Sequence, residues 1–176
     1  GEQLVSGVLT FKTATSDDKP LLFGLIGDTE TRPHINDIVA KRLWAERPEF
    51  VVLLGDLTDG GMQDAKWQWN LEYFTGITQL FSRIAVFPVP GNGEGDLYWY
   101  KKYHKLPESE AYYTFSYGDA AFFMLNSNKR KTEFSPGGRQ FDWLDSALEV
   151  SSRTWKFVAL HHAPYSTDEN DYGDTY

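Results

Sequence analysis

Three short apolar runs dominate the first half of the chain, and each one stops at a glycine followed by a polar residue. The runs are residues 21–26, 50–54 and 84–87. They are too short for buried helices and have the length of strands that are covered on both faces. The pairs that end them are Gly27-Asp28, Gly55-Asp56 and Gly91-Asn92. The pattern predicts buried strands whose carboxyl ends each carry a polar side chain.

Between these runs the apolar residues recur at helical spacing. Residues 34–46 and 62–81 are therefore predicted to form helices. The remaining predicted elements are a hairpin with strands at 112–115 and 120–125, a helix around 141–148 and a strand at 155–160. Strands that alternate with helices, together with one added hairpin, predict a layered α/β domain.

The composition removes several classes of function. The 176 residues include no cysteine, which excludes disulfides, thiolate nucleophiles and cysteine-ligated zinc or iron–sulfur centres. A formal net charge of -8 gives no positive field to attract phosphate backbones, so general nucleic-acid binding is not expected. No apolar run approaches the roughly 18 residues of a membrane-spanning helix, so no membrane span is expected.

Four polar residues follow the predicted strands: Asp28, Asp56, Asn92 and His161. In open α/β sheets, ligands bind beyond the carboxyl ends of the strands, where these residues would meet. Two carboxylates, an amide oxygen and an imidazole suit a metal ion such as Mn, Fe, Zn or Mg. Taken alone, each aspartate and the asparagine are typical of a turn or a helix N-cap, and the histidine is typical of a hydrogen-bonded residue at a strand end. Their shared position favours a metal site over a plain α/β domain in which they only form turns.

Four ordered motifs give a second line of argument. They are Gly27-Asp28-Thr29-Glu30, Gly55-Asp56-Leu57-Thr58-Asp59, Gly91-Asn92-Gly93-Glu94 and His161-His162-Ala163-Pro164. In this order they resemble the motifs of the calcineurin-like metallophosphoesterases, and within them those of the purple acid phosphatase branch. The resemblance implies a layered α/β sandwich with mixed sheets flanked by helices. It also implies a C-terminally incomplete domain, because the family's last block, Gly-His-x-His, does not occur before Tyr176.

The resemblance also implies roles for the motif residues. Asp56 would bridge two metal ions, drawn from Fe, Mn or Zn, while Asp28 would bind the first ion. Asn92 and His161 would bind the second ion, with His162 as the alternative to His161. Asp56, Asn92 and His162 are the expected catalytic residues. The implied reaction is hydrolysis of a phosphate mono- or diester by hydroxide attack at the dinuclear centre, with the phosphate ester as the expected partner.

The chain departs from the family pattern at three positions. Gly93 replaces a histidine that contacts the substrate or its leaving group, so a proton donor is missing there and a histidine restored at this position is expected to raise turnover. Glu30 replaces a histidine or glycine and is either a further metal ligand or a solvent-facing loop residue. Asp59 replaces the tyrosine that colours the purple branch, so no purple colour is expected. Gly93 favours an alternative function, a catalytically weak or inactive binding module.

The ends of the chain suggest a piece of a longer protein. Residues 1–13 resemble the last strand of a fibronectin-like domain or a lead-in to the next domain. Residues 14–20 are predicted to form a linker, and 21–176 the metallophosphoesterase domain. The resemblance favours an exported protein. Two further histidines, His34 and His104, are predicted to lie on the surface.

Overall fold

Two three-stranded sheets form the centre of the fold. The structure is a computed structural model and describes residues 9, 11, 13–16, 19–107 and 111–165. The parallel sheet contains β1 (Gly24–Ile26), β2 (Phe50–Leu53) and β3 (Ala85–Pro88) in that order. The mixed sheet contains β4 (Tyr113–Tyr117), β5 (Ala120–Met124) and β6 (Trp155–Ala159). Strands β4 and β5 form the predicted hairpin, and β5 pairs with β6 in parallel.

Helices flank these sheets, as the sequence predicts for a layered α/β sandwich. They are α1 (Pro33–Ala45), α2 (Lys66–Gln68), α3 (Thr75–Phe81), α4 (Tyr98–Tyr103), α5 (Arg130–Glu133) and α6 (Arg139–Val150). A π-helical turn, Trp69–Phe74, joins α2 to α3, and short 3-10 turns occupy Asn92–Glu94 and Ser127–Lys129. Among the described residues, no helix combines the length and the apolar composition that crossing a membrane requires.

The central strand β2 separates two hydrophobic cores. All four of its residues are buried, as predicted for a strand covered on both faces. Because side chains alternate along a strand, Val51 and Leu53 pack towards the helices, while Phe50 and Val52 pack between the two sheets. The ring of Phe50 meets that of Phe122 edge-on, with centroids 5.2 Å apart. This packing fixes the mixed sheet against the parallel sheet.

The prediction that 21–26 is a strand covered on both faces is wrong. Strand β1 contains only Gly24–Ile26 and lies at an edge of the parallel sheet. Leu22 is 52% exposed and Leu25 is 58% exposed. Strand β6 likewise lies at an edge, and its Val158 is 46% exposed. An apolar run indicates a strand, but its composition does not show which strand takes the edge of a sheet.

Helix α1 forms where the periodicity predicts it, yet it buries a different face. The apolar residues Ile35, Ile38 and Val39 are exposed, whereas Asn36 and Ala40 are buried. The reason lies in α3, which packs closely on α1 at Gly76. A Cβ atom at this glycine would lie 3.0 Å from Cβ of Asn36. Small residues at the contact therefore decide which face α1 turns inwards.

The predicted lead-in strand and linker over 1–20 are only partly described. Of residues 1–13, Leu9, Phe11 and Thr13 are described, and none of them lies in a strand. The rest of this predicted strand, and the tail from Ser166 onwards, lie outside the described residues.

The prediction that His104 lies on the surface is wrong, whereas His34 is exposed as predicted. His104 follows α4, is buried, and packs against the ring of Trp69. Its Nδ1–H donates to the carbonyl of Tyr100 at 2.9 Å, so its Nε2 accepts the hydroxyl proton of Tyr73 at 2.6 Å. Burial lowers the pKa of His104 to about 4, although the bond to Tyr100 opposes the shift.

This depressed pKa predicts a loss of stability in acid. Between pH 6.5 and about 4 the unfolded chain binds a proton at residue 104 that the folded chain excludes, so stability present above pH 6.5 is lost as the pH falls. The loss is on the order of 3 kcal/mol. Urea unfolding of the His104→Gln variant from pH 7 to 4.5 should therefore show a shallower pH dependence, and the exposed His34→Gln variant should match the wild type. Equal slopes for His104→Gln and wild type would contradict the assignment.

Candidate metal centre

Three of the predicted ligands meet at one end of the two sheets. Asp28 follows β1, Asp56 follows β2 and His161 follows β6. One donor atom from each residue lies within 4.8 Å of the others. Asp28 is exposed, whereas the other two residues are partly buried. Three of the four strand-end residues predicted to meet therefore converge, and they come from both sheets.

The backbone is strained at both aspartates. Asp28 has a φ of 52° and Asp56 a φ of 47°, in the left-handed region that L residues rarely adopt. Neighbouring backbone bonds hold this conformation: the N–H of Asp28 donates to the Gly55 carbonyl at 3.1 Å, and the N–H of Thr29 to the Asp56 carbonyl at 2.8 Å. Strain of this kind persists where surrounding structure enforces it, and it clusters at functional sites.

His161 and Asp56 form an oriented pair. The Nδ1–H of His161 donates to the carbonyl of Leu54 at 2.8 Å, which directs Nε2 towards Oδ2 of Asp56 at 3.4 Å. Burial alone would lower the pKa of His161, but the hydrogen bond and charge of Asp56 raise it to about 9. Burial alone would raise the pKa of Asp56, but the bonds from His161 and from the Gly93 N–H lower it. Positive charge is therefore favoured beside Asp56.

Two glycines let the loops touch through their backbones. A Cβ atom at Gly55, where φ is 84°, would lie 2.6 Å from the backbone nitrogen of Gly91 and 2.9 Å from Cβ of His161. A Cβ atom at Gly91 would lie 2.3 Å from Oδ1 of Asp56. Real Cβ atoms do not approach so closely. Because Gly55 and Gly91 have no side chain, the loops after β2, β3 and β6 can approach one another closely.

Glu94 is a residue whose function the sequence did not reveal, although it lies in the Gly91-Asn92-Gly93-Glu94 motif. Its side chain is fully buried. One carboxylate oxygen accepts the N–H of Leu57 at 2.6 Å, and the other accepts the N–H groups of Gly91 at 2.6 Å and Asp56 at 3.1 Å. Burial raises the pKa of Glu94 to about 7, although these backbone bonds oppose the shift. The carboxylate joins the loop after β2 to the loop after β3.

Glu72, in the π-helical turn, joins a second pair of loops. Its Oε2 accepts the N–H of Thr31 at 3.2 Å and that of Asp59 at 3.0 Å. These two residues lie in the loops that follow β1 and β2. Asp59 therefore contributes its backbone to the loop structure, and Glu72 is a second residue that the sequence motifs did not single out.

Glu30 lies beside the two aspartates. Burial raises its pKa, and the charges of Asp56 and Asp28 raise it further. Its Oε2 atom is buried and has no hydrogen-bond partner among the described residues. The converging donor atoms of Asp28, Asp56 and His161 form a donor set that suits a divalent or trivalent cation, and Glu30 is close enough to sense the charges of both aspartates. The residues present therefore fit the metal ions that the sequence motifs imply.

The other two predicted residues, Asn92 and His162, meet at a neighbouring cavity. This polar cavity has a volume of about 450 Å³ and is lined by Asn92, Gly95, Asn128, Arg130 and His162. The Nδ1 atom of His162 lies 2.7 Å from the hydroxyl of Ser127, and its backbone N–H donates to the same hydroxyl at 3.1 Å. His161 therefore faces Asp56. The next residue, His162, is held by Ser127 at the wall of the polar cavity.

A buried glutamine fixes the turn that forms this wall. The side chain of Gln140 accepts the N–H of Asn126 at 2.7 Å and donates to its carbonyl at 2.9 Å. Asn126 in turn accepts the N–H of Asn128, and the Asn128 side chain donates to the carbonyl of Gly91 at 2.8 Å. The turn at 126–130 is thereby attached to the loop that carries Asn92. Sequence patterns gave no signal for these contacts, which join distant segments.

Gly93 lies in a closed part of the loop. Its carbonyl accepts the N–H groups of Gly60 at 2.9 Å and Gly61 at 2.7 Å, and its own N–H donates to Oδ1 of Asp56 at 2.7 Å. A Cβ atom here would lie 2.0 Å from the carbonyl oxygen of Thr58. The expectation that a histidine restored at 93 raises turnover stays a prediction, and this loop leaves no space for the side chain that it requires.

Comparison with known proteins identifies the family. The model of the calcineurin-like phosphoesterase family matches residues 21–176, and the chain belongs to this family. A 3',5'-cyclic-nucleotide phosphodiesterase from Nostoc sp. (strain PCC 7120) is 32% identical over 133 residues, which are 74% of this chain and 47% of that protein. The chain thus spans about half the length of this curated relative.

A solved structure shows the same fold. Purple acid phosphatase from yellow lupin (Lupinus luteus) seeds superposes with a TM-score of 0.70 at 16% identity, over 90% of this chain and 34% of that chain. The predicted family and the predicted α/β sandwich are confirmed.

The close contacts at Gly55 predict that a single methyl group added there strongly lowers the stability of the protein. Gly55→Ala should lower the free energy of unfolding at least twice as much as Gly137→Ala, measured by urea denaturation. Gly137 is the matched control, because its φ of 87° is similar but nothing lies within 4 Å of its Cβ position. At Gly137 only the left-handed backbone is penalised, by about 1–2 kcal/mol. Equal losses in the two variants would contradict the close approach of the loops.

The closed loop at Gly93 predicts that Gly93→His destabilises the protein. The melting temperature should fall by at least about 4 °C, because displacing the Thr58 carbonyl breaks hydrogen bonds of the loop. Turnover should not rise above that of the wild type. A stable Gly93→His protein with higher turnover on poor leaving groups would show that the loop opens to admit the side chain.

Proposed function

We propose that this chain is the catalytic part of a metal-dependent phosphoester hydrolase with two metal ions. The observation that carries the proposal is the cluster of Asp28, Asp56 and His161, whose donor atoms lie within 4.8 Å of one another in a chain of the calcineurin-like phosphoesterase family. The strained aspartates and the partnerless oxygen of Glu30 support a site built for cations.

The candidate ligands divide between the two ions. In this proposal Asp56 would contribute to both ion sites, Asp28 would help to hold the first ion, and Asn92 and His161 would help to hold the second. Glu30 is proposed as an additional ligand of the first ion. Oxygen and nitrogen donors of this kind suit Fe, Mn or Zn. When bound, such ions neutralise the carboxylates, polarise the phosphoester and activate water.

The protein's own groups prepare this chemistry. The Leu54 carbonyl holds the Nδ1 proton of His161, so Nε2 is the nitrogen that would bind a metal ion once it has released its own proton. The polar cavity is the proposed position of the substrate phosphate, next to Asn92. His162 lines the same cavity and is the proposed proton donor to the leaving group, since the family's usual donor position is Gly93.

A second function is favoured by one observation. The loop around Gly93 is closed by the Gly60 and Gly61 N–H groups, so the proton donor cannot be supplied from that position. The alternative is a phosphoesterase-fold binding module that holds metal but turns over weakly. Metal content and turnover separate the two functions, because the module would bind metal without hydrolysing esters.

The test is elemental analysis together with turnover of p-nitrophenyl phosphate, bis-p-nitrophenyl phosphate and a 3',5'-cyclic nucleotide in added Mn, Zn or Fe. Asp56→Asn should lower turnover by more than about a hundredfold and reduce metal content, because loss of a ligand exceeds the 10–100-fold effect of an outer contact. Asp145→Asn, at an exposed position on α6, is the control and should retain both. Bound metal without turnover would support the module, and absence of metal under all conditions would contradict both functions.

A further inference from the structure

We propose that Glu72 is a positioning residue for the first of the two metal ions. Its carboxylate holds the loop after β1, which carries Asp28 and Glu30, against the loop after β2, which carries Asp56. Glu72 controls the affinity for this ion without being one of its proposed ligands. This inference rests on the proposed function, since it concerns one of the two ion sites proposed there.

A single oxygen atom of Glu72 joins the two loops. Its Oε2 accepts the N–H of Thr31 at 3.2 Å and the N–H of Asp59 at 3.0 Å. Thr31 directly follows Glu30, and Asp59 lies in the same loop as Asp56. Because both donors meet at one atom, removing that atom releases both loops at once. The side chain is only 8% exposed, so the two N–H groups would lose their acceptor in a largely buried place.

Glu72 stands on a firm support. It lies in the π-helical turn Trp69–Phe74, and such turns are frequent at functional sites. The indole N–H of Trp69 donates to a carbonyl of the loop after β2 at 2.8 Å, and the Tyr73 hydroxyl donates to Nε2 of His104 at 2.6 Å. Trp69 and Tyr73 flank Glu72 in the sequence, and both are buried. The turn therefore fixes the carboxylate relative to the core.

The loop after β1 needs this anchor because its backbone is strained at Thr31. The φ of Thr31 is 60°, which is an outlier for a β-branched residue. Earlier in the loop, the N–H groups of Asp28, Thr29 and Glu30 donate to carbonyls of the loop after β2. Glu72 accepts the N–H of the strained residue itself. Without this bond the backbone at Thr31 can relax, and the adjacent Glu30 shifts with it.

The second ion depends less on Glu72. Its proposed ligands Asn92 and His161 follow β3 and β6, and Glu94 joins the loop after β3 to the loop after β2. His161 is oriented by the carbonyl of Leu54. Loss of Glu72 should therefore weaken one ion more than the other. A general loss of structure would weaken both.

The experiment is calorimetric titration of Mn²⁺, Zn²⁺ and Fe²⁺ into the metal-free chain, with three variants at position 72. Glu72→Gln keeps an oxygen that can accept both N–H groups, whereas Glu72→Asp keeps the charge on a shorter side chain. Glu72→Asp and Glu72→Ala should weaken one of the two ions at least about tenfold, the effect expected of an outer contact, and the other ion by less. Glu72→Gln should bind both ions as the wild type does. If Glu72→Ala does not fold, the Asp and Gln variants decide the question.

Amide hydrogen exchange of the metal-free chain gives a second readout. The N–H groups of Thr31 and Asp59 should exchange faster in Glu72→Asp than in the wild type, whereas the buried strand β2 should keep its protection. Faster exchange throughout the chain would contradict a positioning role. Gly137→Ala is the control for a loss of stability elsewhere, since nothing lies within 4 Å of its Cβ position, and it should bind both ions as the wild type does.

The outcomes separate this inference from the proposed function. If the wild type binds two ions and Glu72→Asp binds both with the same affinities, the inference is overturned and the proposed function stands. The inference is also overturned if Glu72→Gln is as weak as Glu72→Asp, because the side chain would then act through more than its two hydrogen bonds. If the wild type binds fewer than two ions of each metal, the proposed two-metal function fails together with the inference.

Discussion

Two buried carboxylates hold together the loops that carry the candidate ligands. Loops that leave a sheet carry backbone N–H groups that the sheet no longer pairs, and burying them unpaired is costly. Glu94 accepts N–H groups from the loops after β2 and β3, and Glu72 accepts them from the loops after β1 and β2. One carboxyl group offers several acceptor positions, so each glutamate takes the place of a set of sheet bonds. The three loops thereby become one structural unit at the end of the parallel sheet.

This unit explains the unusual backbone of the site. Asp28 and Asp56 adopt left-handed conformations that cost free energy when isolated, and they persist because their loops are fixed on both sides. The same closure removes the space in which a side chain at position 93 would lie. Where the family pattern has a histidine, this chain uses the position for packing and for an N–H bond to Asp56. In the proposed reaction the candidate proton donor is therefore His162, which lines the polar cavity.

The sequence predicted the parts of the structure that follow from local pattern and strand topology. Asp28 and Asp56 could be placed together because the carboxyl ends of neighbouring strands meet at one edge of a sheet. His161 reaches the same place from the end of β6 in the mixed sheet, which the sequence pattern did not show. The edge position of β1, the buried face of α1 and the burial of His104 were missed, since each depends on which element packs alongside. Glu94, Glu72 and Gln140 were missed for a related reason. Their partners are backbone groups of other loops, and a backbone acceptor or donor leaves no trace in the sequence of the partner.

The charge distribution also limits the direction from which an anionic substrate approaches. On one side of the candidate centre lie Asp28, Asp56 and Glu30, whose mutual repulsion contributes to the raised pKa of Glu30. The whole chain adds a formal net charge of -8. A phosphate therefore gains nothing from long-range attraction and must be favoured by local contacts. Bound cations would supply such contacts beside the carboxylates, and the guanidinium of Arg130, which lines the polar cavity together with Asn92 and His162, would offer another. The local charges at this end of the sheets, and not the net charge of the chain, would therefore decide whether a phosphate is held there.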